Sequence, residues 1–169
     1  MTSVRKLTEG AVDLLIDYIN TNISAALDAV SGTYTDGIGL ENPQEYFIYP
    51  KARGLQPPCV FVIADDMDFK IAENKSNFVN AEDRINVSLI AEDTNEERLT
   101  RKVYRYQSAL HMVLDEANIV SSDNLLSLKV VVYSTAISDT YGRPEDKGEG
   151  GHFRKEVMLR CRVAHFENF

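Results

Sequence analysis

The stretch RINVSLIAEDTNEERLTRKVYRYQSALHMVLDE, residues 84–116, changes its hydrophobic period partway along. Polar and apolar side chains alternate over RINVSLI, a pattern typical of a β-strand with one solvated face. From Leu99 onward, apolar residues recur every three or four positions, which indicates a helix with one buried face. Thr94 and Glu97 have the spacing of a capping box, so we predict that a helix over residues 95–118 directly follows the strand.

Apolar periodicity outside this stretch predicts a second helix and further strands. A helical spacing covers Leu7–Val30 and ends near Gly32. A short apolar run at Tyr46–Tyr49 predicts an edge strand, and two prolines lead into CVFVIADD, which has the pattern of a buried strand. LSLKVVVYSTAIS at 126–138 and HFRKEVMLRCRVAHF at 152–166 are strand-like, and we expect them to be antiparallel neighbours.

This order of elements predicts a single α+β domain over residues 1–169. We expect an antiparallel or mixed β-sheet with two long helices packed on one face. Two polar, glycine-containing segments, 31–58 and 139–151, are predicted to be long loops. Loops of this length usually serve a function.

Composition excludes several classes of protein. The chain has 169 residues, 44% of them hydrophobic, and a net charge of -8, which opposes general binding to nucleic acid or to anionic lipid. MTSVRKLTEG at the start lacks the apolar run of a signal peptide, so we expect the protein to stay in the cytoplasm in which it is made. Cys59 and Cys161 lie in apolar strand-like contexts, and we expect both to be buried thiols.

The sequence contains no recognisable catalytic motif and predicts no cofactor. The three histidines, His111, His152 and His165, stand outside any known nucleophile or metal signature. One acidic group leaves open an alternative function as a metal-dependent enzyme. Asp65, Asp66 and Asp68 follow a buried strand, and with Glu92 or Asp93 they could hold a divalent metal. The other interpretation of this acidic group is a solvated turn.

Charged residues on the two predicted helices are candidates for a subunit interface. Four cations on the second helix share one side at spacings of three, four and seven: Arg98, Arg101, Lys102 and Arg105. They could form a solvated face, contact an acidic partner surface or touch DNA phosphates. Asp13 and Asp17 lie in a narrow polar sector of the first helix, and its wide apolar arc could be covered by another subunit.

The chain resembles a known group of viral proteins in the order of its elements. An initial helix, PPCVFVIADD, RINVSLIAED running into TNEERLTRKVYRYQSALHMVLDE, and two final strands are similar to the tail terminator and related neck proteins of long-tailed bacteriophages. The resemblance covers most of the chain and includes no short diagnostic motif. It implies a non-enzymatic virion subunit, assembled in the host cytoplasm, that forms a homo-oligomeric ring, commonly a hexamer. Such a ring caps the tail tube, ends tail elongation and joins tail to head in the neck.

The resemblance also implies partners. They are further copies of the chain, the tail tube protein and a head–tail connector protein, while DNA passes through the channel without specific binding and no membrane is involved. We expect the loop 139–151 to dock a partner, and a second docking candidate is the loop 31–58. The residues that we expect to take part are Tyr141, Arg143, Lys147, Tyr34, Tyr46 and Tyr49. Alternatives are another head–tail connector or head-completion protein, the metal-dependent enzyme mentioned above, and an unrelated cytosolic binding module.

Overall fold

Two long helices and six strands make up the regular structure of the described residues. The computed structural model describes residues 5–51, 53–70, 78–139 and 152–168. Its elements are α1 (Leu7–Ser31), β1 (Glu45–Phe47), β2 (Cys59–Phe69), β3 (Phe78–Asp93), α2 (Glu96–Leu114), β4 (Asn118–Val120), β5 (Leu126–Ser138) and β6 (Phe153–Asn168). The predicted α+β class is therefore confirmed.

The six strands form one mixed sheet in the order β1-β2-β3-β6-β5-β4. β1 and β2 are parallel, whereas the other neighbours are antiparallel, including the predicted pair of β5 and β6. The long strands β3 and β6 lie at the centre and pair along their whole length, with Val87 opposite Leu159. This pairing fixes which side chains point to the helices and which point away from them.

One hydrophobic cluster joins both helices to alternate residues of the strands. From α1 it includes Leu15, Ile19 and Ile23, and from α2 it includes Leu99 and Leu110. The strands add Val62, Ile85, Val87, Leu89, Leu128, Val130, Val157, Leu159 and Val163. The intervening strand residues therefore face away from this core. A smaller cluster contains Leu55 from the segment before β2, Cys59 and Phe61 of β2, and Ile90 near the end of β3.

Three boundaries differ from the sequence prediction. α2 ends at Leu114 and not near residue 118, because Asp115 has an extended backbone and the chain turns into the short strand β4. The side chain that caps α2 belongs to Asn95 and not to Thr94, and it accepts a hydrogen bond from the backbone N–H of Arg98 at 2.8 Å. β3 extends well beyond the predicted strand because β6 supplies partners along its full length.

The other predicted elements are present, and their ends lie within three residues of the predicted ones. α1 ends at Ser31, where the N–H of the C-cap residue Gly32 donates to the carbonyl of Asp28, and β5 has the predicted bounds. The segment 31–58 is mostly irregular and contains the expected edge strand as β1. In the described part of the chain, neither helix is long and apolar enough to cross a membrane.

Candidate interaction surfaces and buried polar groups

Two of the four predicted interface cations are bound by one buried carboxylate. Asp93 ends β3, its side chain is only 3% exposed, and its Oδ2 lies 2.8 Å from both Arg98 Nε and Lys102 Nζ. The hydrogen bond from Arg98, helped by one from Lys102, holds the pKa of Asp93 well below its usual range against the effect of burial. Asp93 also accepts from the N–H of Asn95, so it joins the end of β3 to the start of α2.

The third cation, Arg105, lies inside the protein, so the alternative that it forms part of a solvated face is wrong. Its side chain is 3% exposed and makes hydrogen bonds through two guanidinium nitrogens to Asp36, in the loop after α1. The ring of Tyr34 lies 3.9 Å from the guanidinium carbon, which is cation–π distance. The hydrogen bond from Arg105 is the main reason that the pKa of Asp36 is lowered to about 2. The loop after α1 folds over α2 and covers Arg105, which the helical pattern of the sequence places on an exposed side of the helix.

We expect the replacement Arg105→Ala to release the loop after α1 without unfolding the domain. The change removes the hydrogen bonds to Asp36 and the contact with Tyr34. Amide hydrogen exchange over residues 33–41 should accelerate about tenfold or more, because charge-assisted bonds hold this segment on α2. The matched control is Arg101→Ala, since Arg101 only bridges to Glu97 on the exposed side of α2. Equal exchange rates in the two variants would contradict this account.

The exposed side of α2 carries an apolar pair that the sequence analysis missed. Tyr104 and Met112 are 55% and 56% exposed, with Ser108 between them at helical spacing. Arg101, the fourth predicted cation, lies one turn before Tyr104 and is exposed. The spacing of four residues was visible in the sequence, but the apolar residues that face the core dominate the pattern. Arg101, Tyr104, Ser108 and Met112 are called the α2 outer face below.

The other predicted interface and docking residues lie in different environments. Asp13 and Asp17 are exposed on α1 and line a shallow cleft together with Lys6 and Ser121. Much of the apolar arc of α1 is covered within the chain, since nine of its residues are buried. The expected interface role of Asp13 and Asp17 stays a prediction.

The tyrosines of the segment 31–58 differ in exposure. Tyr49 is exposed, and Tyr34 is half exposed while it packs on Arg105. Tyr46 is half-buried, and burial raises its pKa to about 12. Tyr141, Arg143 and Lys147 lie outside the described residues.

The face of the sheet that points away from the main core is charged in two separate zones. On β2, exposed Asp66 and Asp68 lie within 3.4 Å of Arg84, and Asp65 accepts a hydrogen bond from Asn86. None of the exposed side chains on β5 and β6 is acidic, and they include Lys129, Val131, Tyr133, Arg160 and Arg162. Arg162 lies 5.2 Å from the ring of Tyr133. The face therefore has an acidic side and a basic side.

The acidic zone does not have the form of a metal site. Arg84 occupies the side of Asp66 and Asp68 where a cation would be bound. Among the described residues no group of three or more His, Cys, Asp and Glu side chains converges as metal ligands would. Glu92 and Asp93, the other ligands considered, pair with Arg154 and with the cations of α2. No observation in the described part of the chain favours the metal-dependent enzyme.

His165 lies at the centre of a buried polar cluster. Its Nδ1 is 2.9 Å from Asp83 Oδ2 and its Nε2 is 3.2 Å from Glu167 Oε2, and all three side chains are buried. Burial by itself lowers the pKa of His165, but the hydrogen bonds to Asp83 and Glu167 outweigh it and the pKa is raised. The charged imidazolium is therefore favoured between two carboxylates.

The same cluster anchors the start of α1. Glu167 accepts the backbone N–H groups of Lys6 at 2.5 Å and Leu7 at 3.1 Å. Lys6 has right-handed helical angles and Leu7 has a positive φ of 47°. Successive residues of this kind direct their N–H groups into one concave site for an anion. The carboxylate at the end of β6 therefore fixes the first turn of α1, and the cluster has a structural role.

Both cysteines are buried thiols, as predicted. Cys59 and Cys161 are free, and burial is the main cause that raises their pKa to about 11 and about 12 respectively. At neutral pH both are therefore protonated and poorly reactive.

A chain from one solved structure shows weak similarity to this protein. No protein-family model and no curated protein matches this chain. Among solved structures, a chain from the "Virion of native gene transfer agent (GTA) particle" aligns with 86% of this chain and 94% of its own length, with 16% sequence identity and a TM-score of 0.37.

Proposed function

We propose that this protein is a non-enzymatic virion subunit that forms a homo-oligomeric ring in the neck of a long-tailed phage. The ring caps the tail tube, ends tail elongation and joins the tail to the head. Its partners are further copies of the chain, the tail tube protein and a head–tail connector protein. DNA passes through the channel without specific binding, and six copies is the expected ring size.

The observation that carries the proposal is the presence of two different exposed apolar surfaces on one chain. One is the α2 outer face with Tyr104 and Met112, and the other is the sheet face with Val131 and Tyr133. The helices and the sheet core lie between these two surfaces. A neck subunit contacts other proteins as well as further copies of itself, which requires exposed surfaces beyond those that close the ring. Exposed apolar residues at both places support such contacts.

The oligomeric state in solution tests this proposal. We expect light scattering across a concentration series to give a mass near six times 19.0 kDa. The double replacement Tyr104→Ser with Met112→Ser should leave this mass unchanged and weaken binding of the ring to tail tubes, because it removes the apolar part of the α2 outer face. Leu125→Ser is the matched control, since Leu125 is an exposed apolar residue in the turn between β4 and β5.

Binding to tail tubes separates the terminator from the other neck proteins. Tubes of the parent phage, mixed with the protein and examined by electron microscopy, should carry one ring at the end and stop elongating. A ring that binds only the head would make the protein a head–tail connector or head-completion protein. A protein that stays monomeric both alone and with tubes would refute the ring. Within the proposal, Tyr141, Arg143 and Lys147, together with Tyr34 and Tyr46, remain the proposed partner-docking residues.

A further inference from the structure

Two long strands have stretches of backbone edge that no other strand covers. β1 pairs only with Cys59–Phe61 of β2, so Val62–Phe69 has β3 as its single neighbour. β4 pairs only with Ser127–Lys129 of β5. Within the described residues, no strand lies beside the outer edge of Val62–Phe69 or of Tyr133–Ile137. These stretches are called the β2 edge and the β5 edge below.

Between the residues paired with β4 and the β5 edge, the N–H groups of Val130 and Val132 already have hydrogen-bond partners. The uncovered stretch of β5 therefore begins only at Tyr133. The N–H of Val130 donates to the carbonyl of Ala117, and the N–H of Val132 donates to Asp115 Oδ1. A β-bulge between Val132 and Ser134 then begins the bare stretch. Unpaired N–H and C=O groups on such an edge are a template for another strand.

The two edges lie at opposite ends of the sheet. One row across the sheet is Cys59, Ile90, Glu156 and Ser138, and a row at the other end is Phe69, Ala81, His165 and Leu128. β1 therefore projects beside β2 at the end where β5 is bare, and β4 projects beside β5 at the end where β2 is bare. The β2 side of one copy can therefore lie against the β5 side of a second copy without a clash between β1 and β4, provided that the second copy is displaced along the strand direction.

Charge also distinguishes the two sides. The β2 edge carries the exposed residues Asp65, Asp66 and Asp68, whereas the β5 edge has no charged residue. Behind the β5 edge, on β6, Arg160 and Arg162 are exposed. Within the described chain Arg160 has no hydrogen-bond or ion-pair partner. Two β2 edges would place aspartates against aspartates, so the favoured neighbour of a β2 edge is a β5 edge.

We propose that the β2 edge of one copy pairs with the β5 edge of a second copy, so that the sheet continues across the subunit boundary. This inference rests on the ring proposed above and assigns its contact. The contact uses two different edges on each copy, so it is head-to-tail and each subunit takes part in two of them. The displacement between neighbours corresponds to the strand tilt that closed sheets need. Asp65 of one copy then lies near Arg160 of the next.

Cross-linking between single-cysteine variants tests the contact. Asp65→Cys and Ala136→Cys each place one reactive thiol on an edge, and native Cys59 and Cys161 are buried and do not compete. With a short bis-maleimide, we expect a cross-linked dimer only when the two variants are mixed. A chain that carries both replacements should give a ladder ending at the ring size. Cross-linking of either variant with itself would overturn the head-to-tail arrangement.

Charge exchange provides a second, independent test. Arg160→Glu and Asp65→Lys should each weaken assembly about tenfold or more, because each places like charges across the contact. The chain that carries both changes should recover assembly. Arg101→Glu is the matched charge reversal on the α2 outer face. If the edge variants still assemble and Arg101→Glu does not, the edge contact is wrong, but the proposal that the protein forms a ring stands. If the wild-type chain never oligomerises, both the edge contact and the ring proposal are wrong.

Discussion

Replacing His165 with leucine is expected to lower the free energy of unfolding by about 3–5 kcal/mol. The imidazole lies between Asp83 and Glu167, at 2.9 Å and 3.2 Å from their oxygens, and has no solvent exposure. Without it two buried carboxylates face each other with no cation between them. Glu167 would keep its hydrogen bonds from the backbone of Lys6 and Leu7, but the first turn of α1 would be held less firmly. Urea unfolding followed by circular dichroism measures the loss.

A matched control and a pH series separate the charge of His165 from its volume. His111→Leu removes an exposed histidine from α2 and should change stability by less than about 0.5 kcal/mol. His165→Gln keeps a hydrogen-bond donor but carries no charge. Because the pKa of His165 is raised in the folded state, its charge contributes fully below the unfolded pKa of about 6.5 and loses that contribution as the pH rises through the folded value. The wild-type advantage over His165→Gln should therefore shrink from about pH 6.5 upward, and an advantage that grows with pH would contradict the charged cluster.

The elements with a strong local pattern could be predicted from the sequence. The β-branched run of β5 ends in turn residues on both sides, so its bounds at 126 and 138 agree with the structure. The end of α2 could not be predicted in the same way. Ala117 continues the helical spacing, yet it lies beyond the end of α2, where it packs in the core and its carbonyl accepts from the N–H of Val130 in β5. A tertiary contact therefore produces an apolar position that looks helical.

The candidate sites depended on contacts between distant segments. Alternation along β6 places His165 and Glu167 on the same face as Leu159 and Val163, so their burial could have been expected. Their partner Asp83 is brought beside them only by the pairing of β3 with β6. Arg105 binds Asp36 from a polar loop sixty-nine residues away, and no local pattern indicates that pairing. The uncovered edges of β2 and β5 could not be predicted from the sequence either, because a strand pattern does not specify how many neighbouring strands pair with it.

Replacing Asp93 with alanine is expected to lower the free energy of unfolding by about 2–3 kcal/mol, the size of charge-assisted hydrogen bonds lost from a buried acceptor. Asp93 binds Arg98 and Lys102 and accepts from the N–H of Asn95 at 2.9 Å. Asp93→Asn keeps an acceptor for that N–H and removes only the charge, so it should lose less. Asp68→Asn is the control, because the exposed pair of Asp68 with Arg84 should contribute less than about 1 kcal/mol.

The pH dependence of the Asp93 variants follows from a lowered pKa. A carboxylate whose pKa is lower in the folded state contributes stability above its unfolded pKa of about 3.9, and loses it as the pH falls through the folded value. The difference between wild type and Asp93→Asn should therefore be full at pH 7 and narrow below about pH 4. A constant difference down to pH 2 would contradict the ionic role of Asp93.

The same variant decides what Arg98 and Lys102 do. In the structure both cations form ion pairs with Asp93, so their charges are already paired within the chain. If Asp93→Asn is destabilised but assembles like the wild type, the two cations serve the junction of β3 and α2. If the variant is as stable as the wild type and its ring dissociates, the cations belong to a subunit contact, and the ion pairs with Asp93 serve to position them for it. Since the exposed fraction of the Lys102 side chain is only 19%, we expect the first result.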